Sequence, residues 1–461
     1  MSPAIVLSGH TMALGVVRAL AARSIPVHLV HYDRKHFAQA SRHVAKRYRA
    51  PHPEFEEAGF VEFLLTGRAE FDGGVLFPVS DPTLVAVARH KELLSSRYVV
   101  ACPDWPVVRA CIDKGITYRL AAQAGLATPR TFPARSLPEV ERHARRADYP
   151  CLVKPTESHR YYERFGRKMS VVQDTAELIA RYREAADAGL EVVLQELIPG
   201  ADQRVVNYNC YMVDGRPVAE FTAEHTRNGP PNFGSPRVVR SQWIPEVIAP
   251  GRDLLHALGF EGYACVEFKR DRRDGQFKLM EVNARHNLST ALAVHCGINF
   301  PCLEYSHRTG KGTAPVEGFA RDIYWIDLCR DVGFSLRHRK QEKYSWRQLL
   351  KPYWSPHVFA ILDRKDPMPI IRRVGFLASS GVRAAMAAAW RWCRPGMTGP
   401  GRSSRSPGLG GPDIAFARRR ERPGWGAALV GRSGRSRPAR SDQLHRAGTA
   451  AGSSRSWRHE T

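Results

Sequence analysis

Short apolar segments alternate with helical repeats along the first hundred or so residues of the chain. Ala4–Leu7, Ile25–Val30, Gly74–Val79 and Val99–Cys102 have the length and composition of buried strands, and apolar side chains recur at helical spacing between them. Strands that alternate with helices form a parallel sheet covered on both faces. The alternation therefore predicts a parallel α/β domain over residues 1–110 and argues against an all-α or all-β fold.

A predicted hairpin near the middle of the chain is the second informative feature. Two strands, Tyr263–Lys269 and Phe277–Asn283, flank a turn that contains Arg273-Asp274-Gly275. A three-residue loop with Gly at its third position is a favoured hairpin geometry, because Gly readily adopts the left-handed conformation. Such a loop would set Arg272 opposite Gln276, and this pairing determines which side chains face each other along both strands.

The predicted pairing brings three oxygen-bearing side chains together. It places Glu267 directly opposite Glu281, and the two-residue period of a strand puts Asn283 on the same face. Two opposed carboxylates destabilise a strand pair, but they suit a hard cation such as Mg²⁺, which takes oxygen ligands. The alternative is two surface glutamates splayed into solvent; the apolar neighbours Val266 and Val282 favour a partly buried sheet.

Two lysines and one strand-to-loop junction add features of a nucleotide site. Lys154 ends the apolar strand Cys151–Pro155, where its point charge suits phosphate oxygens; the alternative is a solvated lysine at a strand end. Lys114, near the start of a helix, carries little weight by itself. Gln195–Gly200 joins a strand to a loop, and its backbone groups could contact an adenine edge or form an ordinary turn.

Taken in their order and spacing, these segments resemble the ATP-grasp superfamily, most closely its carboxylate–amine ligase-like members (predicted ATP-dependent carboligases). The resemblance covers residues 1–310 and continues more loosely to about Ile371. The segments that carry it are Asp113-Lys114, Leu152-Val153-Lys154-Pro155, Gln195-Glu196-Leu197-Ile198-Pro199-Gly200, Val266-Glu267-Phe268 and Met280-Glu281-Val282-Asn283-Ala284-Arg285.

The resemblance implies ATP and Mg²⁺ as cofactors, with Mn²⁺ as an alternative ion. The residues implied for ATP are Lys114, Lys154 and Lys168 at the phosphates, Glu196, Leu197 and Ile198 at adenine, and Asp202 at the ribose. Glu267, Glu281 and Asn283 would hold the metal ion. Arg285 and Lys154 would be catalytic and stabilise the transferred phosphoryl group. The chain departs from many members in the loop Glu157–Arg167, where Gly166 is the one glycine.

The fold implied by the resemblance is α/β. A Rossmann-like pre-ATP-grasp domain over residues 1–110 would precede an ATP-grasp domain over 111–315, whose two α+β subdomains clamp the nucleotide. A basic, helical C-terminal extension over 316–394 and a disordered tail over 395–461 would follow. The implied activity is a ligase that converts a small-molecule carboxylate into an acyl phosphate, which an amine then attacks.

Substrate-binding residues are predicted in a basic stretch that begins at Thr226. It contains Arg227, Arg237 and Arg240, and arginine forks suit carboxylate recognition; the alternative is a surface connection. His286, next to Arg285, is a candidate proton shuttle for the amine or, alternatively, a packing residue.

The net charge of +24 is unevenly distributed along the chain. Residues 1–320 hold 41 basic and 35 acidic residues, residues 321–400 hold 15 and 6, and residues 401–461 hold 13 and 4. The last segment also contains 10 Gly, 9 Ser and 4 Pro, a composition that cannot bury enough apolar surface to fold. A nucleic-acid-binding protein with a basic tail is thus one alternative function, and an ATP-binding scaffold without catalysis is another; neither is favoured.

Cysteine usage and hydropathy bear on the compartment and the partners. The 9 cysteines form no C-x-x-C pair, so neither a disulfide framework nor a zinc site of the usual spacing is expected. No signal peptide or transmembrane segment is recognisable, and we expect a cytoplasmic protein with small-molecule partners and no specific nucleic acid; a homodimer is left open. Residues 374–392 could lie on an anionic membrane surface, although packing on the catalytic domain is favoured.

Overall fold

A five-stranded parallel sheet forms the N-terminal part of the computed structural model, which describes residues 1–66, 69–156, 161, 164–200, 205–229, 234–342 and 344–379. Its strand order is β3-β2-β1-β4-β5. The strands are β1 Ala4–Leu7, β2 Val27–His31, β3 Lys46–Arg49, β4 Val75–Pro78 and β5 Val99–Val100.

Helices cover both faces of this sheet, because alternate side chains of its strands enter two different cores. On β1, Ile5 and Leu7 pack into one apolar cluster, while Ala4 and Val6 pack into the other. The helices are α1 Thr11–Ala21, α2 Glu57–Leu65, α3 Asp81–Arg89, α4 Lys91–Ser95 and α5 Trp105–Ile112. The parallel α/β architecture predicted for this part of the chain is confirmed.

A four-stranded antiparallel sheet follows, and its strand order is β6-β9-β7-β8. The strands are β6 Thr131–Pro133, β7 Cys151–Pro155, β8 Ser170–Val172 and β9 Val192–Glu196. Helix α6 (Lys114–Gln123) precedes it, and helices α7 (Leu137–Ala144) and α8 (Thr175–Asp187) supply Val140 and Leu178 to the core on one face.

A seven-stranded sheet forms the third layer, in the order β14-β13-β10-β11-β12-β15-β16. Its strands are β10 Val205–Val213, β11 Arg216–Gly229, β12 Ser235–Ser241, β13 Gly262–Arg270, β14 Phe277–Asn283, β15 Tyr324–Ile326 and β16 His357–Phe359. Three helices accompany it, α9 Ile248–Ala257, α10 Thr290–His295 and α11 Phe300–Arg308. The four-stranded and seven-stranded layers correspond to the two α+β subdomains that the resemblance implies.

The segment predicted as a helical extension over residues 316–394 also contains strands, which corrects that prediction. Strands β15 and β16 extend the seven-stranded sheet beyond β12, and helices α12 (Leu328–Glu342), α13 (Trp346–Trp354) and α14 (368–379) accompany them. Residues 380–461 lie outside the described residues; they include the predicted tail and most of the segment 374–392, for which packing on the catalytic domain is favoured over a membrane surface. None of the described helices is long and apolar enough to cross a membrane.

Candidate active site

The predicted carboxylate pair lies at the edge of the seven-stranded sheet. Glu267 on β13 pairs directly with Glu281 on β14, so the predicted register is confirmed at this point. The predicted three-residue turn is wrong, because Arg270 pairs with Phe277 and the turn contains six residues. The pairing shifts by one residue at a bulge between Glu267 and Phe268, since a bulge sets two residues of one strand against one of the other. This shift compensates for the different turn, and Glu267 still lies opposite Glu281.

The two carboxylates are half-buried and share one environment. Burial, together with the charge of Glu281, raises the pKa of Glu267 to about 8. Burial also acts to raise the pKa of Glu281, but the positive charges of Lys114 and Lys154 outweigh it and the pKa of Glu281 is lowered. The side-chain amide of Asn283 donates a hydrogen bond of 3.1 Å to Glu281 Oε1. The two carboxylates thus repel each other, and the nearby lysines attract them.

The donor set fits Mg²⁺. Two carboxylates and one amide oxygen are hard ligands, and Mg²⁺ characteristically takes one or two protein carboxylates and completes its shell with water and phosphate oxygens. Among the described residues, no group of three or more His, Cys, Asp and Glu side chains is arranged to hold a metal ion. Glu267, Glu281 and Asn283 would leave the remaining ligand positions of such an ion to water and phosphate oxygens.

Two lysines reach this site from different elements. Lys114 is the first residue of α6, whose N-cap Asp113 accepts hydrogen bonds from the backbone of Gly115 and Ile116. Burial, reinforced by the charge of Lys154, lowers the pKa of Lys114 to about 8. Lys114 is thus a buried ammonium group whose charge also acts on the carboxylate of Glu281.

Lys154 is held in place by two side chains that sequence reasoning missed. Its Nζ donates to Tyr118 Oη at 3.0 Å and to Gln195 Oε1 at 3.2 Å. Tyr118 in turn donates to the backbone carbonyl of Met280 at 2.6 Å. This relay connects β7 of the four-stranded sheet to β14, the strand that carries Glu281. Spacing along the sequence gives no signal for such a contact between distant elements.

Arg285 is bound by an acidic residue of the N-terminal domain. Its Nε and Nη2 donate to the two carboxylate oxygens of Asp81 at 2.6 and 2.9 Å. Asp81 is the first residue of α3 and follows the N-cap Ser80 at the end of β4. The pair links the parallel sheet to the end of β14. Sequence reasoning did not identify this role for Asp81.

The predicted adenine-binding hinge lies at the end of β9. Glu196 Oε2 accepts a hydrogen bond of 3.0 Å from the backbone of Arg130, and Glu196 Oε1 accepts one from Arg273 in the hairpin turn. The carboxylate of Glu196 thus braces the turn, while Leu197 and the buried Ile198 follow it along the chain. Asp202, predicted at the ribose, lies outside the described residues.

Lys168 lies near the carboxylate pair, as its prediction as a phosphate ligand requires. Its charge acts to lower the pKa of both Glu267 and Glu281, and its Nζ donates to Ser235 Oγ at 3.3 Å. Within the loop that precedes it, residues 157–160, 162 and 163 lie outside the described residues.

The predicted substrate arginines need correction, because two of them are internal. Arg227 and Arg237 expose 1% and 0% of their side chains. Arg227 Nε and Nη2 donate to the two oxygens of Asp331 at 2.8 and 2.6 Å, and Arg237 donates to Glu342 and to the carbonyl of Asp331. Both guanidinium groups therefore fasten α12 to the sheet instead of meeting a substrate.

Arg240 and His286 also have protein partners. Arg240 forms ion pairs with Glu224 at 2.7 Å and Asp322 at 3.5 Å. His286 Nε2 lies 3.0 Å from Glu304 Oε2, and its ring stacks on Tyr263 with centroids 4.3 Å apart. The geometry of His286 is that of the packing residue weighed as the alternative to a proton shuttle.

Comparison with known proteins supports the assignment of the fold. No model of a known protein family matches the chain. The D-aspartate ligase of Enterococcus faecium is 25% identical over 237 residues, which are 49% of this chain and 56% of the ligase. The chain thus matches little more than half the length of this curated relative.

Two solved structures share the fold. L-amino acid ligase from Bacillus licheniformis matches with a TM-score of 0.53 at 20% identity, over 67% of this chain and 74% of that chain. N5-carboxyaminoimidazole synthetase from Staphylococcus aureus matches with a TM-score of 0.56 at 12% identity, over 74% and 86%. The chain therefore has the ATP-grasp fold that its sequence resemblance implies.

Proposed function

We propose that the protein is an ATP- and Mg²⁺-dependent ligase that joins a small-molecule carboxylate to an amine through a carbon–nitrogen bond. The observation that carries the proposal is the directly opposed pair Glu267 and Glu281, whose pKa values respond to the nearby cations Lys114, Lys154 and Lys168. The named activities of D-aspartate ligase and L-amino acid ligase support it. A nucleic-acid-binding function has no comparable site among the described residues.

The reaction would proceed in two steps. A carboxylate oxygen of the first substrate attacks the γ-phosphorus of ATP, the bond to the bridging oxygen of ADP breaks, and an acyl phosphate forms. The amine nitrogen then attacks the carbonyl carbon, inorganic phosphate leaves, and the amine loses a proton. Carboxylates are poor electrophiles, and conversion to the acyl phosphate supplies the leaving group that the second step needs.

The residues of this chain would mainly position reactants and balance charge. When bound by Glu267, Glu281 and Asn283, Mg²⁺ would supply neutralisation of the phosphate oxygens. Lys114, Lys154 and Lys168 would bind the phosphates, and the segment Glu196–Ile198 would contact adenine. Arg285, held by Asp81, would stabilise the transferred phosphoryl group.

The decisive experiment is a screen of ADP release by the full chain, with Mg²⁺, against pairs of carboxylates and amines drawn from amino acids, sugar acids and polyamines. We expect release that requires both Mg²⁺ and a specific pair. A carboxylate labelled with ¹⁸O should pass one labelled oxygen to the released phosphate. ATP binding without ADP release for every pair would favour the non-catalytic ATP-binding scaffold.

A further inference from the structure

Exposed apolar side chains and excess positive charge coincide in the last described part of the chain. Nine of the thirteen large apolar side chains that the described residues expose lie between Val332 and Leu377. Residues 321–400 also hold 15 basic residues against 6 acidic ones. Clustered exposed apolar side chains mark interaction surfaces, and the proposed ligase site uses none of these residues.

Helix α13 shows the coincidence most clearly. One side faces the protein, where Pro352 is buried and Tyr353 Oη donates to Asp331 Oδ2 at 2.7 Å. The other side presents Trp346, Leu350 and Trp354, which are 61%, 37% and 74% exposed. Residues spaced by four lie on one side of a helix, so the three apolar side chains form a continuous stripe.

The stripe is accompanied by positive charge. Arg347 and Lys351 are exposed on the same helix, and none of the nine residues of α13 is acidic. The sequence from Arg337 to Lys351 contains six basic residues and one acidic residue, Glu342. Glu342 is already engaged, because it accepts a hydrogen bond from the buried Arg237. The exposed side of α13 therefore combines indole rings with two cations, and no ion pair of either is found within the part of the chain that the structure describes.

This combination is typical of helices that lie in a membrane interface. Tryptophan rings settle at the level of the lipid headgroups, and basic residues beside an apolar stripe are attracted to anionic lipids. A platform for single-stranded nucleic acid would need aromatic side chains that stack successive bases. On α13 the two tryptophans lie about 12 Å apart with Leu350 between them, which suits acyl chains better than bases.

We propose that the exposed side of α13, formed by Trp346, Arg347, Leu350, Lys351 and Trp354, docks the protein on the surface of a membrane that contains anionic lipid. The contact is peripheral, since none of the described helices is suited to span a bilayer. The proposal is independent of the ligase activity, because the surface contains no residue of the candidate active site.

The test is cosedimentation of the full chain with phosphatidylcholine vesicles that contain or lack phosphatidylserine. We expect binding only in the presence of phosphatidylserine, with a loss at high salt. Trp346→Ser combined with Trp354→Ser should lower the partition coefficient about tenfold or more, because two indole anchors are removed. Arg347→Glu combined with Lys351→Glu should lower it by at least the same factor, since each basic residue near the surface contributes about fivefold.

Matched controls lie in other parts of the chain. Phe55→Ser with Leu93→Ser removes two apolar side chains that are 61% and 51% exposed, and Arg145→Glu with Arg146→Glu reverses two exposed charges. Both control variants should bind vesicles as the parent does. Equal thermal melting of all variants would show that folding is intact.

Three results would overturn the proposal. The first is absence of binding to phosphatidylserine vesicles by the parent chain. The second is undiminished binding by both α13 variants, which would assign membrane attraction to another segment such as the 13 arginines of residues 401–461. The third is a loss of RNA or acidic-protein binding in the α13 variants without any vesicle binding by the parent, which would identify a different class of partner.

Discussion

At the scale of single residues, the candidate site is a balance of buried charges. Glu267 and Glu281 contribute two carboxylates, and the ammonium groups of Lys114 and Lys154 both act to lower the pKa of Glu281. A triphosphate entering this site adds several negative charges, so a divalent cation is needed to restore the balance. The geometry thus explains why nucleotide and metal would bind together.

Neutralising Glu281 tests both the catalytic and the structural role of the carboxylate pair. Glu281→Gln should lower the rate of ADP release about a hundredfold or more, because charge stabilisation of the phosphates is lost. Chemical denaturation in metal-free buffer should also show a loss of stability, because the attraction to Lys114 and Lys154 that lowers the pKa of Glu281 is removed and outweighs the relief of repulsion from Glu267. Glu246→Gln, which alters an exposed glutamate, is the control and should change neither quantity. Undiminished ADP release by Glu281→Gln would contradict the metal assignment.

Asp81 is expected to act as a positioning residue for Arg285. Asp81→Asn weakens the bidentate ion pair and should lower kcat about tenfold to a hundredfold, because small displacements of a catalytic group are costly. The KM for ATP should change little, and Asp81→Glu should restore part of the rate. Asp104→Asn, which removes a surface partner of Lys91, serves as the control. A rise in KM with kcat unchanged would instead place Asp81 in nucleotide binding.

Sequence patterns reveal residue roles only where neighbours in the sequence are also neighbours in space. The pairing of Glu267 with Glu281 follows from a local hairpin, and it is predictable although the turn and the bulge contain compensating differences. Asp81 and Arg285 lie 204 positions apart, so no local pattern connects them. Arg227 was predicted to bind substrate for the same reason: its partner Asp331 is 104 positions away, so no local pattern shows that its charge is already paired.

At the scale of elements, α6 connects the two sheets of the nucleotide site. Tyr118→Phe removes the hydroxyl that joins Lys154 on β7 to the carbonyl of Met280 beside β14's glutamate. We expect a loss of about 1–2 kcal/mol in the free energy of unfolding. We also expect ADP release to fall about tenfold, because Lys154 loses a partner that orients it. Urea denaturation and steady-state kinetics measure the two effects.

Tyr149→Phe provides the matched control for this substitution. Tyr149 Oη donates to the carbonyl of Ala144 at 2.9 Å and lies 3.2 Å from Thr175 Oγ1, so its contacts stay within the four-stranded layer. A similar loss of stability with unchanged ADP release is expected. Equal kinetic effects of Tyr118→Phe and Tyr149→Phe would argue against a specific role for the contact with Lys154.

Helix α12 is fastened to the large sheet by a buried ionic network centred on Asp331. Its carboxylate receives both Arg227 and Tyr353, and Arg237 lies 3.5 Å from it. Asp331→Ala leaves buried guanidinium charge without compensation and should lower the free energy of unfolding by about 3–5 kcal/mol. Asp322→Ala, which alters an acidic residue with a largely exposed side chain near Arg240, should cost less than about 1 kcal/mol. Urea denaturation compares the two; similar losses would contradict the network.

Strands β15 and β16 show why the architecture of residues 316–379 was not predictable. Each contains only three residues, too few for an alternating pattern to be distinguished from a helical one. The assignment of β15 depends on pairing with β12, whose residues lie more than eighty positions earlier, and that of β16 depends on pairing with β15. A longer strand such as β13, which has nine residues, was predictable because its length and apolar composition distinguish it.

At the scale of the whole molecule, the N-terminal domain is tied to both later parts of the chain. Arg285 contacts Asp81 beside the parallel sheet, and Arg18 on α1 contacts the fully buried Asp366 at 3.0 Å. Ser41 also donates to Asp366 at 2.7 Å. Loss of stability in the N-terminal domain should therefore be transmitted to the candidate site and to the C-terminal elements together.

The histidines of the N-terminal domain make this stability sensitive to acid. Burial lowers the pKa of His10 to about 4, although Asp33 partly opposes the shift, and burial lowers the pKa of His36 to about 2. In the unfolded chain both groups titrate near pH 6.5. Below that pH the unfolded state binds more protons than the folded state, so stability falls as the pH decreases from about 6.5 towards 4.

Urea denaturation across this range should show a steady loss of the free energy of unfolding. His36→Leu should make the loss shallower, while the exposed His256→Leu should leave it unchanged. A stability that stays constant between these pH values would contradict neutral burial of the two histidines.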